Sequence, residues 1–485
     1  HEACNQVAHG LRALGVKTGD AIAVMTPNCA AVPQIYLAAA QVGLYYVPIN
    51  SHLVGPEVAY ILRDSGAKAF FTHEKVAEAA KAAIRESGID PKGCFAVGKV
   101  DGCRDFESVK AGRPAAPPSD RTAGTAMNYT SGTTGRPKGV RRPLPPIDAD
   151  TMAANFASFL MLFGIMPRDN HVHLVVSPLY HTAVLNFCMN SLHMGHTTVL
   201  MDKWTPEGML DKVQRYKVTH THMVPTQFNR LLQLPEETRK KYDVSSFRQV
   251  IHGAAPCSIE TKRKMLDWWG PVVTEYYSAS EGGGTTCTAE QWLRKPGSVG
   301  TPWPISQIKI VDDDGKECAP KTVGTVYIKM GDHRFEYHGD KGKTHKAWRE
   351  DGFFTVGDAG YLDEDGYLFL VDRKSDMIIS GGQNIYPAEI EAVLQNHPKV
   401  GDVAVFGIPD EDWGEQVKAV VEPIEGEKAS PALAEEILAY AKENLASYKR
   451  PKSVDFVDAL PRDPNGKLFK RKLRDPYWAG RDKAI

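Results

Sequence analysis

Cysteine is sparse: eight residues in a chain of 485, at positions 4, 29, 94, 103, 188, 257, 287 and 318. So few cannot staple a chain of this length, and no two form a Cys-x-x-Cys pair. A disulfide scaffold, a zinc ribbon and a thioredoxin-like motif are therefore excluded. Excess charge of either sign is missing too. Lysine and arginine number 58 against 59 aspartates and glutamates, a formal net charge of −1. No global positive field exists to hold a nucleic-acid backbone. Long hydrophobic runs are also absent. The stretch from Ala21 to Pro56 carries no lysine, arginine, aspartate or glutamate, but Pro27, Asn28, Pro33, Gln34, Gln41 and Pro48 interrupt it. It holds no run of about 20 apolar residues. Phe156–Met166 reads as an apolar helix too short to span a bilayer. The expectation is a reduced, cytoplasmic protein with no transmembrane segment. The chain begins at His1 and not at Met, so the numbering is expected to start inside a longer protein.

What is present is ordinary globular material, 42% hydrophobic and 24% charged, in a chain long enough for several domains. Helical and strand patterns alternate through the first hundred residues: helix Cys4–Leu14, strand 21–25, helix 31–42, strand 45–49, helix 58–65, strand 67–72. The alternation continues with strands at 172–177, 197–201, 218–224 and 249–252. Such alternation predicts parallel sheet covered by helices. Near 323–330 and 353–371 the pattern changes to short strands with turn signals, which predicts antiparallel sheet or a small barrel. After Asp372 a smaller α+β unit is expected, with helices at 388–396 and 432–444 and strands at 400–407, 416–422 and 453–457. The expected fold class is α/β. A large N-terminal domain of helix-covered sheets plus a small barrel-like subdomain (1–372) precedes a small mobile α+β C-terminal domain (373–485).

The sharpest feature is Tyr129-Thr130-Ser131-Gly132-Thr133-Thr134-Gly135-Arg136-Pro137-Lys138-Gly139. Its glycines let backbone approach a ligand closely, its hydroxyls offer donors and Lys138 supplies a cation, a combination suited to a polyphosphate. It is not a Walker A loop: Pro137 stands where glycine is required, and Gly139 follows the lysine. A flexible surface loop would explain the glycines but not the whole array.

This string resembles the phosphate loop of the adenylate-forming superfamily, which comprises acyl-CoA synthetases, nonribosomal peptide adenylation domains and firefly luciferase. Further signatures follow in the family's order over nearly the whole chain, starting from Gly15–Asn50. The family's opening few dozen residues are missing, so the resemblance implies an incomplete N-terminus. It implies ATP/AMP contacts from Thr130, Ser131, Gly132, Thr133, Thr134, Gly135 and Lys138. It also implies an adenine-facing turn at Gly253-Ala254-Ala255-Pro256. Tyr277-Ser278-Ala279-Ser280-Glu281 resembles the family's Tyr-Gly-x-Thr-Glu, with serines replacing glycine and threonine. Tyr277 would stack on adenine, Ser280 would touch phosphate or metal, and Glu281 would hold Mg²⁺. Asp358, in Thr355-Val356-Gly357-Asp358, would accept the ribose hydroxyls, where an ionised acceptor strengthens each bond. In Asp372-Arg373-Lys374-Ser375-Asp376, Asp372 would be the hinge and Arg373 would reach the ribose. Ser380–Glu391 is the most nearly verbatim match, and Gly381 and Gly382 would face the CoA pantetheine. Pro461–Lys467 resembles the Pro-Lys-Thr-x-x-Gly-Lys loop, with Arg462 and Asp463 departing from it, and makes Lys467 the catalytic lysine beside Glu281, Thr130 and Lys138.

The resemblance implies an AMP-forming acyl-CoA ligase using ATP, Mg²⁺ and coenzyme A, and leaves room for a homodimer. His181, Ser278, Ala279 and Gly282 are the expected acyl-pocket residues, with 223–226 nearby. No aspartate or lysine in those stretches would select an ammonium or a second carboxylate. The Gly282–Gly284 run is expected to leave room along one pocket wall. Both points favour an apolar acid, either a fatty acid or something bulkier. Phe335-Glu336-Tyr337-His338-Gly339-Asp340 replaces the family's commoner Gly-Tyr-x-x-x-Pro stretch. Three rivals remain at this level: an acyl-AMP ligase loading a carrier protein, a luciferase-like oxygenase, and a catalytically silent nucleotide-binding scaffold. The short spacing from Glu281 to Asp358 leaves little room for the insertion common in carrier-protein ligases, so CoA is the expected acceptor.

Overall fold

The computed structural model describes residues 1–130, 137–373, 376–381, 383–462, 466 and 468–479, with Thr130 and Arg373 as backbone only. Among the described residues, two helix-covered sheets form the large domain. The first is parallel throughout, in the order Arg104–Asp105, Cys94–Val97, Ala69–His73, Ala21–Val24, Tyr45–Pro48 and Thr125–Ala126. Its central strands are almost wholly apolar because helices cover both faces. The second sheet runs Thr197–Leu200, Val172–Val175, His220–Met223, Gln249–His252 and Val273–Ala279 in parallel. Gly282–Cys287 and Thr301–Pro302 then close it antiparallel.

The later elements match the expected change of character. Ser306–Val311, Gly324–Met330, Asp358–Leu362 and Leu368–Arg373 form an antiparallel sheet. The small C-terminal domain pairs Val400–Asp410 with Gly414–Pro423, adds Ser453–Phe456 in parallel, and carries helices Pro387–Leu394 and Pro431–Asn444. One element differs from expectation. Phe156–Met166 is not a continuous α-helix: helix Ala149–Ala157 tightens into a 3₁₀ segment, Ser158–Phe163, and stops at Gly164 with φ 69°. The three-residue period buries Leu160 and Phe163 together and turns Met161 and Leu162 outward, which a 3.6-residue turn would not do so neatly. Among the described residues no helix is long and apolar enough to cross a membrane.

The second sheet buries an unusual number of histidines. His173 lies on strand Val172–Val175 with His171 just before it, His220 and His222 alternate along the next strand, and His252 ends a third; side chains two apart in a strand share a face. The His173 and His220 rings stack at 4.6 Å, and the His222 and Phe187 rings at 4.9 Å. Single hydrogen bonds join His220 Nε2 to Ser191 Oγ (2.9 Å) and His222 Nε2 to Tyr276 Oη (3.0 Å). Burial pushes His173 and His222 down to about 3, and His220 and His252 well below the usual value, so these rings are neutral. A depressed folded pKa means that the unfolded chain binds more protons below about pH 6.5. The stabilisation is complete above that pH and drains as the pH falls toward the folded values. Each such ring should cost about 2 kcal/mol at about pH 5. Thermal unfolding should shift to lower temperature between about pH 7 and about pH 5, less steeply in His173→Phe. Midpoints that do not move over that range would contradict neutral burial.

Candidate active site

The site residues gather where parallel strands end, because strand-ending turns there leave backbone and side chains free to face a ligand. Gly253 follows strand Gln249–His252, Val224 and Thr226 follow His220–Met223, and Tyr277 to Ala279 end Val273–Ala279. Gly253 must be glycine: a Cβ would lie 2.6 Å from the Tyr276 carbonyl oxygen. Ala254 has a left-handed φ of 66°, a conformation costing about 1–3 kcal/mol that accumulates at functional sites.

The structure brings Tyr277 and Asp358 together. The Tyr277 hydroxyl donates to Asp358 Oδ2 at 2.6 Å, although the two lie far apart in sequence and on different sheets. Glu281 is buried, 8% exposed, and its Oε1 accepts from the Tyr337 hydroxyl at 2.8 Å. Burial first, then Glu281, raises the Tyr337 hydroxyl well above its usual pKa, so it stays a donor. Ser280 Oγ lies 3.3 Å from Thr182 Oγ1, which ties this turn to the start of helix Thr182–His193 and to its N-cap, His181.

Lys138 opens strand Lys138–Arg141, which pairs with Asn128–Thr130 on one side and Glu336–Tyr337 on the other. Its ammonium is 2.6 Å from Asp340 Oδ2. The flanks of the phosphate-loop motif are pinned by Tyr129 Oη donating to Asp64 Oδ2 (2.6 Å) and Tyr60 Oη to the Pro137 carbonyl (3.2 Å). Ser131, Gly132, Thr133, Thr134, Gly135, Gly382 and Lys467 lie outside the described residues, as do the side chains of Thr130 and Arg373.

Three groups went unnoticed in the sequence. Arg142 donates to the Ser280 carbonyl; burial lowers its guanidinium pKa and nearby Glu281 partly restores it. Asp340 and Lys343 enter through the segment that departs from the family pattern, and that departure was the available signal. Burial lowers the Lys343 ammonium, while Glu281 and Asp340 oppose the fall and Lys138 adds to it.

One expectation is corrected. The Gly282–Gly284 run does not leave a roomy wall. A Cβ on Gly283 (φ 70°) would lie 2.4 Å from Ile328 Cγ2, and one on Gly284 2.2 Å from the Tyr277 carbonyl oxygen. These glycines permit close packing at the bulge, and the Ser278 hydroxyl is spent on the Gly283 carbonyl at 2.7 Å. Of the three, only Gly282 leaves room for a Cβ, which would be in ordinary van der Waals contact with Met330 Sδ at 3.7 Å.

In the small domain, Asp372 Oδ2 accepts from the Ala388 amide at 2.9 Å, at the start of helix Pro387–Leu394. Gly381 (φ 57°) lies under the exposed Trp413 indole, 2.3 Å from where its Cβ would fall. Arg462 grips Asp402 at 2.5 and 2.8 Å and the Gly466 carbonyl at 2.6 Å. Gly466 in turn meets the large domain, since a Cβ there would lie 2.6 Å from Thr226 Oγ1.

Residues 1–333 match the family model for AMP-binding enzymes, and 389–467 the model for the AMP-binding enzyme C-terminal domain. The chain belongs to the AMP-binding enzyme family. This is the adenylate-forming superfamily that includes the acyl-CoA synthetases, and several similar proteins are named as CoA ligases, which are acid–thiol ligases. The chain is similar to FadD13, a long-chain-fatty-acid–CoA ligase of Mycobacterium tuberculosis, with 35% identity over 98% of this chain and 92% of that protein. It is also similar to ScoC, a fatty acid–[acyl-carrier-protein] ligase of Streptomyces coeruleorubidus, with 32% identity over 99% and 91%. ATP-bound MatB from Rhodopseudomonas palustris shares the fold, with a TM-score of 0.83 and 31% identity over 98% of this chain and 92% of that one.

Because Gly283 combines a left-handed φ with a blocked Cβ, Gly283→Ala should destabilise the AMP-binding enzyme by about 2–4 kcal/mol. Denaturant unfolding checks this. A loss below about 0.5 kcal/mol, the range of an ordinary surface change, would mean that the bulge is not as tightly packed as described.

Proposed function

We propose that the enzyme is an AMP-forming acyl-CoA ligase for an apolar carboxylic acid. The observation that carries the reading is the meeting of three short pairs, Tyr277 with Asp358, Glu281 with Tyr337 and Lys138 with Asp340; the last two are joined through the Asp340 amide and the Tyr337 carbonyl (2.9 Å), and Tyr277 packs in the same core cluster as Tyr337. A carboxylate is a poor acyl donor because its leaving group would be oxide. Attack of its oxygen on the α-phosphorus of ATP gives acyl-AMP and expels pyrophosphate. Negative charge then spreads over phosphate oxygens, so positioned cations and amide donors are the main catalytic resource.

In this reading Tyr277 stacks on adenine beside the 253–256 turn, and Asp358 takes the ribose hydroxyls. Lys138 and the 130–135 hydroxyls and amides hold the β- and γ-phosphates. Glu281 fits a Mg²⁺ site: among the described residues no cluster of three or more ligating side chains exists. A lone buried carboxylate suits an ion held mainly by phosphate oxygens and water. When bound, Mg²⁺ would neutralise phosphate charge. His181 lies on the acyl side. The aromatic cluster of Phe159, Phe163, Phe187 and Trp303, with neighbouring rings about 5.4 Å apart, is buried core packed around helix Thr182–His193, which His181 precedes. The core behind His181 therefore carries no formal charge, which favours an apolar acid over a charged one.

In this reading a domain division near Asp372 accounts for the second half-reaction. The Gly466 contact with Thr226 supports an arrangement in which Lys467 serves adenylation. Rotation about Asp372 would then withdraw Lys467 and present Gly381 and Gly382 to the CoA arm. The thiol attack needs no further protein nucleophile, only a path and exclusion of water. CoA is the favoured acceptor; similarity to ScoC keeps a carrier-protein thiol as the competing one.

A panel of carboxylic acids, scored by CoA-dependent AMP release, should reveal turnover with apolar acids and little with dicarboxylates or amino acids. AMP release that requires a carrier protein, or none with any acid, would defeat the reading. Lys467→Ala should slow adenylation about 10²–10³-fold, as loss of one oxyanion donor does. The variant should still convert supplied acyl-AMP to acyl-CoA at nearly the parent rate. Asp372→Pro, with φ locked near −65°, should show the reverse. Single-turnover kinetics of each half-reaction separates them, and equal slowing of both by Lys467→Ala would make the lysine structural.

A further inference from the structure

The segment that departs from the family pattern places a carboxylate beside the phosphate-loop lysine. Asp340 Oδ2 is 2.6 Å from Lys138 Nζ, and Asp340 Oδ1 accepts the Lys343 amide at 2.9 Å. Lys138 and Asp340 together present no net charge. A polyphosphate approaching Lys138 alone would also meet Asp340, and like-charge repulsion would offset much of the attraction.

Lys343 restores the balance. Its ammonium sits 4.0 Å from the centroid of the Tyr337 ring, the same ring whose hydroxyl donates to Glu281 at 2.8 Å. Among the described residues it has no carboxylate within ion-pair distance, and it is half-buried. A desolvated ammonium held over an aromatic face, without a counter-ion, is positioned for an anion that arrives later. Its neighbours are the Mg²⁺-side carboxylate Glu281 and the Lys138–Asp340 pair, so it faces the position proposed for the β- and γ-phosphates.

We propose that Lys343 is a second phosphate-binding cation that, with Lys138, holds the β- and γ-phosphates of ATP and the departing pyrophosphate, and that Asp340 holds Lys138 in place until they arrive. The inference rests on the adenylation reading above. Asp340 thereby has two roles: it neutralises Lys138 while the site is empty and orders the turn that carries Lys343. No group in this account touches the α-phosphate or the base, so AMP should be indifferent to Lys343.

The test is calorimetric titration of the whole enzyme with Mg·ATP, Mg·pyrophosphate and AMP. Lys343→Met should weaken ATP and pyrophosphate about tenfold or more, the usual loss for a hydrogen bond to a charged group. AMP affinity should stay within about twofold, since Lys343 acts only on the outer phosphates. Lys343→Arg should keep most of the ATP affinity. Adding Asp340→Asn to Lys343→Met should recover much of the loss, because both opposing charges are then gone. If Lys343→Met does not fold, Lys343→Gln takes its place. Unchanged ATP and pyrophosphate affinity would overturn the proposal, as would equal weakening of AMP, which marks a structural role. A parent enzyme that binds AMP and ATP equally would remove the phosphate subsite altogether. A parent that binds neither would sink the adenylation reading itself.

Discussion

A site that receives a polyphosphate must hold cations ready without leaving them bare in a half-buried cleft. Much of the local architecture follows from that constraint. Lys138 rests on Asp340, Arg142 lies beside Glu281, and Lys343 rests on the Tyr337 ring. Desolvated charges without such neighbours would cost several kcal/mol each. The short pairing of Glu336–Tyr337 with Lys138–Arg141 brings these groups together, since it fixes Tyr337 against Glu281 and starts the turn carrying Asp340 and Lys343. Two paired residues thus couple the hairpin that carries Lys138 to the Glu281 carboxylate. The packing around them is rigid: Phe335 and Tyr337 lie in one core cluster with Phe354, and Trp348 packs against it.

Much of this was legible in the sequence because strand-ending turns and glycine-rich strings have local chemical reasons. Tyr277, Glu281 and Asp358 each belong to a short motif, and the structure joins Tyr277 to Asp358 directly. The parallel sheets were readable from apolar runs alternating with helices. What failed had non-local causes. A glycine can mean open space or close packing, and sequence alone does not distinguish them; Gly283 and Gly284 prove to be packed against Ile328 and the Tyr277 carbonyl. Phe156–Met166 is apolar but for Ser158 and Gly164, and hydrophobicity did not mark the tightening of the α-helix to 3₁₀. Asp340 was marked only by its stretch's departure from the family pattern and Lys343 lies just beyond it; what they do depends on Lys138, some two hundred residues away.

The departure at Arg462 has a structural account. A guanidinium fork can hold the Asp402 carboxylate bidentately and still reach the Gly466 carbonyl, which a lysine ammonium could not do with the same geometry. The replacement of lysine by arginine therefore strengthens the support of the peptide immediately before Lys467. Glu391 adds a second brace, accepting from the Val405 amide at 2.7 Å and pairing with Lys470 at 2.8 Å. Burial would lower the Lys470 ammonium, but Glu391, Asp372 and Asp376 raise it on balance, so it stays charged at the root of the loop. The described residues on either side of Lys467 are therefore braced within the small domain.

The hinge proposal acquires a specific consequence from where Asp372 is tied. Its side chain caps helix Pro387–Leu394, and so is tied to the domain proposed to rotate. Its backbone, however, is still in the antiparallel ladder of the large domain, with Asp372 opposite Ala359 and Arg373 opposite Asp358. A rotation that keeps the cap intact must therefore be absorbed in the last pairs of that ladder, next to the proposed ribose ligand. The bulge between Ala359 and Gly360 already loosens the register there, and bulges are where a strand can bend at small cost. Domain rotation and nucleotide grip are then mechanically connected through one strand end. In this account the change that withdraws Lys467 also reaches the backbone of Asp358, so the adenylate can be held during one half-reaction and released after the next.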